Sequence, residues 1–304
     1  MNTRQAILIG RYSARYSVRG GVGLVFLLLS LTFGLMVAHL MLQPVVMGAQ
    51  QLEEHSRNLE PGQATRQMLD QIVTQARPAV AWVLSSGTDG ADSAAARGWA
   101  DYLLLDRPAL LSAIFLILMW GWPFIVAFGA FDLYGGDIAS RQLRYQLLRA
   151  DRSSIFFGRL LGTVVTFVLV LASLGVTVAL YMGLKLNVYD WSSLLGWTLY
   201  GTLALICVSL PFIALCAWIS AAVGSSFASL TIVSTIIGGV PLVAMIGGFS
   251  FEGAKYVLYA LPWGYQARLF HPEVAQVAAA VGGCLAMTGL FLWLGHRKFT
   301  TRDL

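Results

Sequence analysis

Six stretches of the sequence are each about as long as a membrane is thick and contain no Asp, Glu, Lys or Arg. An α-helix needs about 20 apolar residues to cross the hydrocarbon core, and it satisfies its own backbone polar groups there. The six stretches are Val22–Gln43, Pro108–Ala130, Leu160–Leu184, Ser193–Ile219, Phe227–Phe249 and Val277–Gly295. Charged residues make up only 12% of the 304 residues, about half the share of a soluble domain. The sequence therefore predicts an all-α membrane protein with six transmembrane helices.

The distribution of basic residues predicts the orientation of these spans. Six crossings put both termini and the 131–159 connection on one side, which carries twelve basic and four acidic residues. The other side carries eight basic and eleven acidic residues. Because the cytoplasmic side of a membrane protein is enriched in Lys and Arg, we expect both termini and the 131–159 loop to be cytoplasmic.

Residues 1–21 are expected to form a cytoplasmic amphipathic helix on the membrane surface. At about 100° per residue, Tyr12 and Tyr16 fall beside a stripe of arginines. That stripe consists of Arg4, Arg11, Arg15 and Arg19. Arginine suits the lipid phosphates and tyrosine the boundary below them. The alternative is a plain topogenic charge cluster, which would not require the arginines to share a face.

The 131–159 connection is expected to contain a two-faced basic helix. Gly135 and Gly136 should end the second span, and Asp137 suits the N-cap of a new helix. Leu143 and Leu147 then line one side of that helix. The opposite side carries Arg141, Arg144, Arg149 and Arg152. The positive-inside preference explains several arginines, but the glycine break and the two faces together predict a surface for an acidic or polar partner protein.

Two longer connections lie on the other side of the membrane. The 44–107 segment is interpreted as an extracytoplasmic loop or a small helical cap, since the apolar residues of "ATRQMLDQIVTQA" share a helical face. A solvated connection is favoured over a docking cap, and "SSGTDGADSAAARG" indicates a flexible loop. Residues 250–276 are too apolar for open water and too interrupted to span. We expect a short interfacial or re-entrant helix there, with Trp263 and Tyr265 at headgroup level.

The sequence contains no motif for catalysis, ATP binding or ion coupling. It has no G-x-S-x-G, no H-E-x-x-H and no P-loop. Ion-coupled transporters keep ionisable groups near the membrane centre, and here the spans have only His39, near an outer end. His39 beside Met36 could form a soft-metal pair, but an interfacial histidine is favoured. We expect no catalytic residue, no metal and no cofactor bound by this chain.

The run from Phe131 to Gly162, "FDLYGGDIASRQLRYQLLRADRSSIFFGRLLG", resembles the cytoplasmic signature of the type-2 ABC exporter permeases. In that family an acidic residue precedes a short coupling helix, a Leu-Leu pair, and then R-x-x, three apolar residues and Gly-Lys. The matching positions are Asp137, Leu147-Leu148, Arg152 and Gly158-Arg159. Asp replaces the usual Glu, Arg replaces Lys, and the proline common after the leucine pair is absent. The C-terminal "FTTRDL" and the element before span six are also similar to the family.

The resemblance implies one transmembrane permease domain over residues 1–304, the membrane subunit of an ATP-binding-cassette exporter in the bacterial plasma (inner) membrane. Two separate ATPase subunits, which bind ATP and Mg²⁺, would dock on the 137–159 loop. A second permease copy or a related permease would complete the pathway, and nucleic acid has no role. The residues implied in docking are Asp137, Arg141, Arg144, Leu147, Leu148, Arg149, Arg152, Gly158 and Arg159.

Two alternative functions stay open. One is a non-transporting membrane platform that anchors an extracytoplasmic protein through residues 44–107. The other is an ion-coupled secondary transporter, which would need an ion site that the uncharged spans do not provide by themselves.

Overall fold

The computed structural model describes residues 2–19, 21–55, 62–85, 94–186, 188–248 and 252–302. The described part is helical throughout and has no β-strand. In chain order its α-helices are α1 (Thr3–Arg19), α2 (Val22–His55), α3 (Gln63–Ser85), α4 (Ala94–Leu104), α5 (Ala109–Ala130), α6 (Gly135–Ala139), α7 (Gln142–Leu147), α8 (Arg152–Leu186), α9 (Trp191–Val223), α10 (Ser226–Gly248) and α11 (Val274–Thr301). Three 3₁₀ helices, Glu252–Ala260, Pro262–Gly264 and Gln266–Phe270, connect α10 to α11.

Six of these helices are long and apolar enough to cross a membrane: α2, α5, α8, α9, α10 and α11. This confirms the predicted all-α class with six spans. The helices extend beyond the uncharged runs, and α2 continues from the predicted end at Gln43 to His55. Its last residues, QQLEEH, are polar. A helix keeps its internal hydrogen bonds as it leaves the hydrocarbon, so the apolar run marks only the part that lies in lipid.

The spans α5 and α9 form the centre of the bundle. In the most apolar part of each, 72% of the residues are buried within the chain, against 17–39% in the other four spans. Two indole N–H groups join the pair: Trp122 donates to Ser209 Oγ at 2.7 Å, and Trp197 donates to Ser112 Oγ at 2.9 Å. Because lipid provides no partner for a buried N–H, these contacts fix α5 against α9.

Small residues bring α1 against the first turns of α8. A methyl group added at Gly158 would lie 2.8 Å from the Ala6 carbonyl oxygen, and one added at Gly162 would lie 2.7 Å from the Gly10 carbonyl oxygen. Helix backbones approach this closely only where side chains are small. The Gly158-x-x-x-Gly162 spacing therefore forms a contact within the chain.

The face of α1 that points away from α8 is exposed and mainly cationic and aromatic. Its exposed residues are Arg4, Ile7, Leu8, Arg11, Tyr12, Arg15 and Tyr16. Three of the four arginines in the predicted stripe thus lie on this face. Arg19 is the last residue of α1, and its side chain lies outside the described residues.

The end of the bundle that carries both chain termini and the 131–159 loop is called the basic end below. Contacts at this end join distant parts of the chain. The backbone N–H of Asn2 donates to Ser154 Oγ at 3.1 Å, and Ser153 Oγ lies 2.9 Å from Nε2 of His296. The two termini and the start of α8 therefore meet at one place.

At the opposite end, α3 and α4 form a helical cap beside the end of α2. Arg77 of α3 pairs with Asp101 of α4 at 2.5 Å, and Met68 of α3 packs over Gly48 of α2. The described residues of the 44–107 segment thus include two helices packed against each other. The expected flexible loop over residues 85–98 is wrong for Ala94–Gly98, which begin α4, and its residues 86–93 lie outside the described part.

The segment before α11 differs from the single short helix predicted for it. The last two of its three 3₁₀ helices pack into the bundle, and Trp263 is 3% exposed. The Trp263 ring stacks on Trp120 of α5 with ring centroids 5.3 Å apart and also contacts Phe212 of α9. The ring of Trp263 therefore belongs to the aromatic core of the bundle. Tyr265 is half-buried, and its hydroxyl donates to the Gly283 carbonyl oxygen at 3.4 Å.

The Gly158→Val variant is expected to detach α1 from α8, since the added carbons would overlap the Ala6 carbonyl and Ile9. The free energy of unfolding should fall by about 1–3 kcal/mol, and trypsin should cleave faster after the arginines of α1. The control is Gly289→Val in α11, where an added methyl group meets nothing within 4 Å. Equal trypsin sensitivity of the two variants would contradict the packing role of Gly158.

The contact between α4 of the helical cap and the segment before α11 is expected to weaken at acidic pH, because His271 becomes protonated there. Trp99 of α4 donates to the Phe270 carbonyl oxygen at 2.9 Å and packs edge-on to the His271 ring. Nδ1 of His271 accepts from the Glu273 backbone N–H at 3.0 Å. Burial lowers the pKa of His271 below its ordinary value of 6.5, while Glu273 raises it and Arg268 lowers it.

Because the pKa of His271 is lower in the folded chain, the folded state favours the neutral ring. The stabilisation is present above the unfolded pKa and is lost as the pH falls below it. Hydrogen exchange in α4 should therefore accelerate between about pH 7 and about pH 5, after correction for intrinsic rates. His271→Gln should remove that acceleration, whereas His55→Gln, at the exposed end of α2, should keep it. A wild-type response in His271→Gln would refute the assignment.

Candidate functional site

The 131–159 loop contains two short helices, and the first begins earlier than predicted. Helix α6 begins at Gly135, so Asp137 lies within its first turn and is not its N-cap. Tyr134 is the N-cap residue, and Asp132 two positions earlier satisfies one N–H of the first turn, because its Oδ1 accepts from the Gly136 backbone N–H at 2.7 Å. The same oxygen accepts from Ser226 Oγ at 2.6 Å. The start of the loop is thus joined to the start of α10.

A sharp turn at Arg141 separates α6 from α7, so the single continuous helix predicted for this loop is wrong. Arg141 has a left-handed backbone, with φ of 58°. In the described part of the chain it is the one residue other than glycine with a positive φ. Such a backbone costs about 1–2 kcal/mol for a residue with a Cβ atom. The turn places α7 at an angle to α6 that helical periodicity does not predict.

Tyr134 anchors the start of the loop inside the bundle. The backbone N–H groups of Tyr134 and Gly135 both donate to Ser220 Oγ of α9 at 2.9 Å. The Tyr134 ring stacks on Phe156 of α8, and its hydroxyl donates to the Phe156 carbonyl oxygen at 2.8 Å. The side chain is fully buried. Residues 134–135 are therefore fixed to both α8 and α9.

Asp137 and Arg159 form an ion pair between α6 and α8. Their side chains are only 22% and 17% exposed. Arg159 also donates to the Leu133 carbonyl oxygen at 3.1 Å and to Gln146 Oε1 of α7 at 3.2 Å. One guanidinium thus holds the three parts of the loop on α8. These two residues, which the family resemblance implies in docking, face each other within the chain.

Two more of the implied docking residues make contacts within the chain. Arg152 donates to the carbonyl oxygens of Thr300 and Arg302 at 2.7 and 2.8 Å. Gly158 is buried against Ala6 and Ile9 of α1. Ser153 adjoins Arg152 and is hydrogen-bonded to His296 of α11, so these residues connect α8 to its neighbours.

The remaining implied residues lie on the outside of the loop. We call the exposed group the basic surface, and it consists of Arg141, Arg144, Tyr145, Leu148 and Arg149. Leu148 is 83% exposed and Tyr145 75% exposed, so large apolar groups stand among the guanidinium groups. Leu147 is half-buried behind them. Guanidinium groups bind carboxylates through two parallel, charge-assisted hydrogen bonds. Exposed apolar side chains among such groups are typical of a protein-binding surface.

A cleft of about 540 Å³ lies beside the basic surface. One wall is the start of α1, and the other is the end of the loop. The lining residues are Asn2, Gln5, Leu147, Leu148, Arg149, Ala150, Asp151 and Arg152. The basic surface therefore borders a concave region into which a side chain of another protein would fit.

The described residues contain no group of three or more His, Cys, Asp or Glu side chains placed to hold a metal ion. His39, which the sequence places near an outer end, has its Nδ1 2.8 Å from the Tyr181 hydroxyl of α8. That contact joins α2 to α8. The arrangement at the basic end is thus an anchored loop with an exposed cationic surface.

Sequence reasoning did not identify Asp132, Tyr134, Ser220 and Arg302 as site residues. Their contacts with α9 and α10, Tyr134 to Ser220, Asp132 to Ser226 and Arg302 to Ala221, join residues about eighty or more positions apart. Helical periodicity carries no information at that range. Comparisons with protein-family models and with curated proteins found no match to this chain, so its function is inferred from its own residues and contacts.

Replacing Arg159 by Met is expected to lower the free energy of unfolding by about 3 kcal/mol, because the Asp137 carboxylate loses its partner in a mostly buried position. The double variant Asp137→Asn, Arg159→Met should be more stable than the sum of the single effects predicts, by at least about 1 kcal/mol. Unfolding in mixed micelles measures both values. Arg149→Met, an exposed arginine of the same loop, is the control and should change stability little. Strict additivity would show that the pair is not coupled.

Proposed function

We propose that the chain is the transmembrane subunit of an ATP-binding-cassette transporter, an exporter, driven by separate ATPase subunits. The observation that carries the proposal is the basic surface on a loop anchored to the spans. Leu148 and Tyr145 expose large apolar side chains beside a cleft, which is typical of an interaction site, and the three arginines around them favour an acidic partner. An acidic partner with an apolar side chain for the cleft would cover this surface.

The anchoring of the loop supports a mechanical role for that partner. Asp137 and Arg159 hold α6 and α7 on α8, and Tyr134 holds the loop on α9. A partner that pulled on the basic surface would therefore move spans and not only a flexible connection. This distribution fits a revised role for the implied docking residues: Arg141, Arg144, Leu148 and Arg149 contact the ATPase, whereas Asp137, Arg152, Gly158 and Arg159 transmit its motion.

The absence of a P-loop from the sequence fits the assignment of ATP and Mg²⁺ to the partner. The six spans contain no Asp, Glu, Lys or Arg within their uncharged runs, which favours an apolar or amphipathic cargo. In this proposal the basic end is cytoplasmic, in a bacterial inner membrane. A second permease subunit would cover part of the exposed apolar faces of α2 and α10.

The exposed face of α1 is proposed to bind membrane lipid rather than the ATPase. Its arginines would bind the phosphates of anionic lipids, with Tyr12 and Tyr16 at the boundary of the hydrocarbon. Because α1 is packed on Gly158 and Gly162 of α8, its opposite face has a fixed direction. Lipid would then hold α1 beside the same span that anchors the loop.

Photo-crosslinking from position 145 tests the proposal directly. A photoreactive amino acid replaces Tyr145 in native membranes, and we expect it to capture a protein that carries a P-loop and hydrolyses ATP. Reversing charge with Arg144→Glu and Arg149→Glu should abolish that capture, because an acidic partner would then be repelled. The spans should stay folded, since neither side chain makes an ion pair in the described part of the chain.

The matched control reverses two exposed charges at the same end but outside the loop, Arg297→Glu and Lys298→Glu. That variant should keep the capture. Capture of a protein without ATPase activity, or equal capture by both charge-reversed variants, would refute the proposed function.

A further inference from the structure

Arg302 lies just after α11 and holds the end of another span. Its Nη1 donates to the carbonyl oxygens of Ala221 and Ala222 at 2.8 and 3.0 Å, and its Nη2 donates to that of Val223 at 3.5 Å. The last carbonyl groups of a helix have no partner within the helix and carry the negative end of its dipole. One guanidinium therefore satisfies three carbonyl groups at the end of α9.

Gly224 makes room for this contact. It ends α9 in a left-handed conformation with φ of 69°, and its N–H returns to the Ser220 carbonyl oxygen at 3.2 Å. A methyl group at position 224 would lie 2.5 Å from the Arg302 guanidinium. Glycine is thus required here both for the backbone conformation and for the approach of the arginine.

Arg152 continues the connection to the 131–159 loop. It is the first residue of α8 and lines the cleft beside the basic surface. Its Nη1 binds the carbonyl oxygens of Thr300 and Arg302, at the end of α11. The end of the loop is therefore joined by two arginines in series, first to α11 and then to α9.

The beginning of the loop reaches the same helix end by another route. Ser220 accepts the N–H groups of Tyr134 and Gly135, and it lies one turn before Val223. Both ends of the loop are therefore attached to the last turn of α9, which is one of the two central spans. Displacement of the loop cannot leave α9 in place without breaking several of these hydrogen bonds.

We infer that Arg152 and Arg302 form the connection through which motion of the end of the 131–159 loop reaches α11 and α9. The inference rests on the proposed function for the source of that motion, an ATPase partner. The connection itself belongs to this chain. Both arginines are positioning residues, because they bind backbone carbonyl groups and lie outside the basic surface.

The two arginines can be tested without burying a lone charge. In their described contacts they bind neutral carbonyl groups, so a neutral replacement leaves no carboxylate unpaired. In this they differ from Arg159, whose loss isolates Asp137. A variant of Arg302 can therefore break the connection while the spans remain folded.

Hydrogen exchange of the full chain in lipid nanodiscs tests the connection without any partner. Arg302→Met should accelerate exchange by about tenfold in two segments, the end of α9 and the loop over residues 134–150, because charge-assisted hydrogen bonds are lost. The matched control is Lys298→Met, an exposed cation in the last turn of α11, which should change neither segment. Acceleration confined to residues 300–302, or equal effects of the two variants, would overturn the inference.

Arg302→Lys provides a milder variant if the methionine variant does not fold. Its ammonium keeps the positive charge at the end of α9 but lacks the planar fork that reaches three carbonyl groups. The same two segments should exchange faster than in the wild type, by a smaller factor. Wild-type exchange in both segments would overturn the inference as well.

A second measurement separates the inference from the proposed function. Ala222 lies at the end of α9 and is half-buried. In a chain whose three native cysteines are replaced by Ala, the maleimide labelling rate of Ala222→Cys reports motion of that helix end. In the complex captured through position 145, ATP should change this rate, and Arg302→Met should reduce the ATP dependence while keeping the partner. An unchanged ATP response in the variant would overturn the inference. If the wild type captures no ATPase, the proposed function fails, and hydrogen exchange still decides the connection.

Discussion

The exclusion of water from the hydrocarbon core is the constraint on which the rest of this structure depends. A polar group in that region is costly without a partner within the protein, so few are present, and a hydrogen bond between two of them joins their helices. Trp122 with Ser209 and Trp197 with Ser112 join the two central spans in this way. Ionic and multiple hydrogen-bonded contacts are concentrated where the helices leave the core. The mechanical connections between spans are therefore strongest at the ends of the bundle.

The basic end illustrates two uses of arginine on one short loop. Arg159 and Arg152 point inward and bind a carboxylate or backbone carbonyl groups, while Arg144 and Arg149 point outward to solvent. A guanidinium suits both uses because it remains charged and presents several donors in a rigid plane. The inward group ties the loop to α8, α9 and α11, and the outward group leaves a cationic surface beside a cleft. A force applied to that surface would therefore act on the spans as well.

Sequence patterns predicted the class of fold and the region of the candidate site but not the geometry of that site. The uncharged runs placed all six spans, and the arginine-rich connection was predicted as the candidate site. The start of α6 was missed because Asp132, a residue of the preceding turn, satisfies one N–H of its first turn. The break at Arg141 was missed because an arginine with a left-handed backbone has no local sequence signal. The burial of Trp263 was not predicted because it depends on Trp120 and Phe212, which lie on other helices.

The sequence by itself determined that the chain forms six helices long and apolar enough to cross a membrane, with an excess of basic over acidic residues in the connections of one side. These properties follow from the hydropathy and charge of consecutive residues, since the free energy of transfer of a segment into lipid depends on its own composition. The tertiary structure alone decided which arginines are paired and which are exposed, and that the last residues of α11 hold the end of α9. Those outcomes depend on partners far away in the chain, which come into reach only when the helices have packed against one another.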